Sequence, residues 1–187
     1  MPQLHTPRIR YATMGAQLYL AIEGSATQRA SLAAEHLAAD FVRVSPPRPT
    51  IVLDLQGCEY LDSTFAGWMI RLHRQMGQAG GRLVVSRCPE TCRRELEVMG
   101  LVSLFQFSTM TAPHETRQCT CPDLDLSGAE ALEFMLHAHE DLAEVDEHNA
   151  DVFKPIADML RTELDKTADQ QPNAPEPSGE GEDDTDA

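Results

Sequence analysis

A chain of 187 residues with 42% apolar and only 5% aromatic side chains holds one ordinary domain with extensions, its core filled by Leu, Val, Ile, Met and Ala. The formal charge is −15, unevenly spread: residues 1–121 carry 12 basic and 10 acidic side chains, net +2, and residues 122–187 carry 3 and 20, net −17. A field of that sign repels phosphate backbones and anionic lipid, so nucleic acid and membrane are poor partners for the C-terminal third, and no apolar run approaches the roughly 20 residues that cross a bilayer.

The elements alternate between two periods. Tyr11–Met14 and Leu18–Ile22 read as short strands around Gly15. The run Leu18–Ile22 lacks a cleavage pattern and is not expected to be a signal peptide. Ala30, Ala33, Ala34, Leu37 and Phe41 form one helical stripe, which the prolines of 45–49 end. Thr50–Leu55 is a β-branched apolar run and predicts a buried central strand. Phe65, Trp68, Met69, Leu72 and Met76 repeat the helical stripe until Gly77 and Gly80-Gly81. Arg82–Ser86 is the next strand, Pro89 to Met99 a helix closed by Gly100, and Leu104–Phe107 a last short strand. The order β-β-α-β-α-β-α-β predicts an α/β fold with a mixed or largely parallel sheet packed with helices.

Residues 108–127 read as a loop, with 111–127 the linker between a domain over 1–110 and a helical extension over 128–166. Leu132, Met135, Leu142, Val145, Val152, Ile156, Met159 and Leu160 give the extension an apolar stripe among acidic residues, and Pro155 is expected to kink or split it. That stripe either packs on the front domain or serves a basic partner or a second copy as a dimer helix. Residues 168–187 hold seven acidic side chains, three prolines and no Leu, Ile, Val, Met or aromatic. A tail over 167–187 is therefore expected to be disordered.

The informative segment is Ile51 to Gly67. A buried strand ends near Leu55, and after a short loop Asp62-Ser63-Thr64 stands at the start of an amphipathic helix. All three are good N-caps, and a capped helix is the simplest reading. The same physics permits another. A phosphoryl group on a hydroxyl at the positive end of a helix adds about −1.5 to −2 charge, is tolerated by the local N–H groups, and changes the face shown to a partner without unfolding anything.

Ile51-Val-Leu-Asp-Leu, Asp62-Ser-Thr-x-x-Gly67, Gly80-Gly-Arg-Leu-Val-Val and Gly100-Leu with Leu104-Phe105 together resemble the STAS domain family, the anti-sigma factor antagonists. The likeness runs over residues 8–108 in order of elements. It implies a non-enzymatic protein that binds a serine/threonine kinase acting as anti-sigma factor and is reset by a PP2C-type phosphatase. It also implies that Thr64 is the phospho-acceptor, with Asp62 and Ser63 in support and Gly67 allowing close packing; Ser63 is the alternative acceptor. Phe65 stands where the family has Gly. It either opens the core stripe or alters how a kinase docks at Asp62, Ser63, Thr64, Phe65 and Gly67. The competing reading is a constitutive scaffold or adaptor subunit, of a transporter or signalling complex, without phosphorylation.

Other chemistry is weaker. Five cysteines, an odd number, favour reduced thiols and a cytoplasmic location. Cys88, Cys92, Cys119 and Cys121 with His114 lack the usual zinc spacings, so no metal is expected. His137, His139, Glu133 and Glu140 read as solvated helical side chains. Asp54 is a buried strand acid with no paired base in the pattern. Without a Ser-His-Asp elbow, Walker loop or dinucleotide fingerprint, neither enzymatic activity nor a cofactor is expected.

Overall fold

The computed structural model describes residues 6–45, 47–120 and 128–169. The chain opens with an antiparallel pair, β1 (Arg8–Met14) and β2 (Gln17–Ala26), with Arg8 opposite Glu23 and Met14 opposite Gln17. Gly15 in the turn has φ +56°, a conformation that glycine adopts without a steric penalty. Three crossovers follow: α1 (Gln28–Val44) to β3 (Thr50–Leu61), α2 (Ser63–Gln78) to β4 (Arg82–Ser86), and α3 (Glu90–Val98) with a 3-10 turn at Val102–Leu104 to β5 (Gln106–Ser108). Strands β2 to β5 pair in parallel, as helical crossovers require. A further strand, β6 (Arg117–Thr120), pairs antiparallel with β1, so the sheet order is β5-β4-β3-β2-β1-β6. This is an α/β fold with a mixed sheet and a C-terminal helical pair, α4 (Ala129–Ala143) and α5 (Glu147–Asp169).

Alternation along the strands gives the sheet two unlike faces. Leu18, Leu20, Ile22, Ile51, Leu53 and Leu55 enter one large cluster with Phe65, Trp68, Met69 and Leu96 of the helices. Tyr19, Ala21 and Val52 form a small second cluster on the other face, with Ala112 packed against it. Because parallel central strands are buried on both sides, Thr50–Leu55 carries no polar alternation.

Several boundaries differ from those the sequence suggests. β3 runs on to Leu61, and the last strand of the crossover series lies at 106–108, its first residues replaced by the 3-10 turn. The expected loop and linker contain β6, a short Arg-Gln-Cys-Thr strand in which Cys119 packs against the core; a four-residue edge strand is held by backbone pairing and leaves little pattern. The C-terminal helix divides at residues 144–146, before Pro155. There Asp146 Oδ1 accepts the Asn149 N–H at 2.8 Å, and the buried Asn149 side chain donates to the Met99 carbonyl at 2.9 Å. Pro155 sits inside a continuous α5, where it and Asp151, one turn earlier, are both exposed. α5 continues past 166 to Asp169, and the remainder of the expected tail, 170–187, lies outside the described residues.

Candidate functional site

Where β3 ends at the rim of the sheet, Asp62 turns the chain into α2. Its backbone is extended, its Oδ1 accepts the Phe65 N–H at 2.8 Å, and its own N–H donates to the Ala26 carbonyl at 3.1 Å. One carboxylate thus caps the helix while its backbone fastens it to the end of β2. Burial pushes the Asp62 carboxyl up, against the pull of backbone N–H groups from Phe65, Thr64 and Gln28.

Of the two hydroxyl residues, Ser63 is half-buried and Thr64 is only 6% exposed. Phe65 and Gly67 are buried; the Phe65 ring lies 5.1 Å from that of Trp68, so it opens the core stripe of α2. Of the two readings of Phe65, the opening of the core stripe is the one this burial supports. The ring is drawn inward because the helix stripe needs an apolar side chain at its first turn.

The cover over this helix start is α4. Packing is closest at Gly67, where a Cβ would overlap the carbonyl oxygen of Ala138 and lie 2.8 Å from its Cα. One turn further, Arg71 Nε donates to Asp141 Oδ2 at 3.0 Å, and its guanidinium lies 5.4 Å over the Phe134 ring. Arg74 donates to Asp141 Oδ1 at 2.6 Å and Glu144 Oε2 at 2.9 Å. From α1, Gln28 Nε2 donates to the Ala131 carbonyl at 2.8 Å. The extension therefore packs in cis on the front domain, one of the two readings its stripe allowed. Val152 and Met159 of α5 stay exposed.

His139 corrects an expectation. It is 6% exposed rather than solvated, and its Nε2 lies 3.1 Å from Ser63 Oγ. Its Nδ1 is 2.8 Å from the Met135 carbonyl. A carbonyl only accepts, so Nδ1 carries the hydrogen, Nε2 of the neutral ring is the acceptor, and Ser63 donates. Burial pushes the His139 pKa down and so favours the neutral ring, with the Met135 bond pulling the other way. Spacing within the helix could not reveal this residue, because its partner lies on another element.

Asp54 has a cationic partner that the sequence pattern did not show. Arg87, in the left-handed region at φ +46°, forms a buried ion pair with Asp54, and Tyr19 donates its hydroxyl hydrogen to the same carboxylate. Arg87 Nη2 also reaches the Tyr19 hydroxyl at 3.0 Å. Burial and the Asp54 contact push the Tyr19 phenol up to about 12. The three groups satisfy one another on the second sheet face and present no free acid or base.

Cys58 and Cys92 are buried, and the Cys92 thiol contacts the Cys58 carbonyl at 3.6 Å. Burial pushes the Cys88 thiol up to about 12, which disfavours a thiolate ligand or nucleophile. Cys58, Cys88 and Cys92 are in no disulfide, and Cys121 lies outside the described residues. Among the described residues no three His, Cys, Asp or Glu side chains converge as a metal site, and no helix is long and apolar enough to cross a membrane.

The geometry defines a parallel-sheet module that presents a capped, hydroxyl-bearing helix start at the sheet rim. Residues 9–106 match the family model described as Mlab, STAS domain, and the chain belongs to the STAS domain family. Two solved structures are similar at 16% identity. One is the anti-sigma factor antagonist SpoIIAA in its unphosphorylated form, with 54% of this chain and 88% of that chain covered and a TM-score of 0.45. The other is the NMR structure of the protein TM1081, with 52% and 78% covered and a TM-score of 0.41. No curated protein matches. The family match ends at residue 106, so β6, α4 and α5 are additions to the matched module.

Proposed function

We propose that the chain is a non-catalytic, cytoplasmic partner-switching protein of the anti-sigma factor antagonist type. Its binding face is the start of α2, around Asp62, Ser63, Thr64 and Gly67, with Phe65 supporting it from the core. Its partner is an ATP-dependent serine/threonine kinase that also acts as anti-sigma factor, and a PP2C-type phosphatase resets it. Phosphate on Thr64, or on Ser63, adds charge and changes the desolvation cost of that face, which redirects binding without unfolding the domain. The observation that carries this reading is the pair of hydroxyls in the first turn of a helix capped by Asp62, in a member of the STAS family.

The test compares Thr64→Ala with Thr64→Glu, each alone and with Ser63→Ala, in capture of the kinase partner. Retention by the alanine forms and loss by the glutamate forms supports the switch; indifference to both hydroxyls removes it.

The burial of Thr64 favours a second reading, a constitutive adaptor subunit without phosphorylation. Phosphopeptide mass spectrometry on protein from its own cells separates the two. A dimer through residues 128–166 is a further proposal, for which exposed Val152 and Met159 are the available apolar surface.

A further inference from the structure

We propose that the stripe Ser63, Gly67, Arg71 and Arg74 on α2 is a helix-docking groove that α4 fills in cis and that an acidic helix of a partner fills in its place. The inference rests on the reading of the α2 start as the partner face and adds what competes for it and which chemistry wins.

Four observations support it. The groove belongs to the family module, which ends at residue 106, whereas its occupant belongs to the extension. The contact carries specific polar pairs beside the apolar packing of Phe134, Leu142 and Ala143 in the core cluster: a hydroxyl–imidazole bond at 3.1 Å and ion pairs from Arg71 and Arg74 to Asp141 and Glu144. Paired charges of this kind give orientation and exchangeability more than adhesion. The close approach at Gly67 selects a helix with a small residue opposite it, the place Ala138 takes now. Finally, α4 leaves the site incomplete. Arg71 donates through Nε, but its Nη2 is buried with no hydrogen-bond partner among the described residues. A carboxylate that takes Nε and Nη2 together satisfies what Asp141, shared with Arg74, does not. The external occupant is thus a helix with a small residue at the crossing point and carboxylates one turn beyond it. Its arrival displaces α4 and frees Ser63 from His139.

The test uses full-length chain and a fluorescein-labelled peptide of residues 128–146 as the probe for an acidic helix. Asp141→Arg weakens the cis contact without altering the groove. It is expected to bind the peptide about tenfold or more tightly than the wild type does, because the tethered competitor is lost. Adding Arg71→Ala and Arg74→Ala abolishes that binding. Hydrogen exchange on the same variant is expected to show lost protection in 129–169 with β2 to β4 unchanged. Gly67→Ala, which favours α2 itself but blocks the crossing, gives the same exchange pattern without the peptide binding. Loss of protection throughout the sheet in both variants, or an Asp141→Arg chain that binds no peptide, overturns the proposal. Peptide exchange with kinase capture indifferent to Ser63 and Thr64 removes the phosphorylation switch and leaves the groove. Hydroxyl-dependent capture with no exchange does the reverse.

Discussion

The hydroxyl of Ser63, in the first turn of α2, donates to Nε2 of His139 on α4 across 3.1 Å. A residue of the family module and a residue of the extension thus share one hydrogen. Ser63→Ala and His139→Ala should couple in a double-mutant cycle by about 0.5–1.5 kcal/mol, read from urea unfolding. Strict additivity contradicts a direct bond.

Acid should loosen the extension. The folded pKa of His139 lies below its unfolded value of 6.5, so the unfolded chain takes up a proton first. The stability held by the neutral ring is present above pH 6.5 and is lost as pH falls from there through the depressed folded value. Asp62 has the opposite sign: its folded pKa is raised above 3.8, so protonation favours the folded state as pH falls through that raised value. Urea midpoints measured downward from pH 7 should fall in the wild type, and the His139 contribution should vanish in His139→Gln. An Asp62→Asn background isolates it.

Arg87→Ala leaves Asp54, 2% exposed, without its cation. Removing one member of a buried pair costs about 3–5 kcal/mol. Tyr19→Phe removes only one donor to the same carboxylate and should cost about 1–3 kcal/mol. Thermal unfolding of both variants checks the order, and an Arg87→Ala effect no larger than that of Tyr19→Phe contradicts it.

Gly67→Ala offers a sign test of packing. Away from other helices the change favours α2 by about 0.8–1 kcal/mol. Here the new methyl overlaps the Ala138 carbonyl, and overpacking of this kind costs about 1–3 kcal/mol or more. A net loss of stability by urea unfolding is expected; a net gain means that α4 does not cross at Gly67.

The sequence disclosed what one element carries by itself. The strand at Thr50–Leu55, the stripe from Phe65 to Met76 and the cap at Asp62 follow from local periodicity and side-chain chemistry, and they locate the site. Three features required the third dimension. β6 is an edge strand of four residues, too short for a period to be read, with Cys119 alone packed on the core among its described side chains. His139 and Asp54 acquire their roles from Ser63 and Arg87, which lie 76 and 33 residues away. The division of the C-terminal helix follows from Asp146 and Asn149 and the bond to Met99, whereas Pro155, the stronger breaker in sequence, is tolerated on an exposed face. The crossing of α4 over Gly67 belongs with these, since the apolar stripe of the extension did not say which surface it would meet.

The central claim is that the start of α2 is a face on which a phosphoryl group changes partner choice. It is tested most directly by incubating the full-length chain with its kinase partner and ATP, mapping the modified residue, and measuring retention of the kinase before and after. The account predicts phosphate on Thr64 or Ser63 and release of the kinase upon its addition. Phosphate found only elsewhere, or a kinase held equally by both forms, contradicts it.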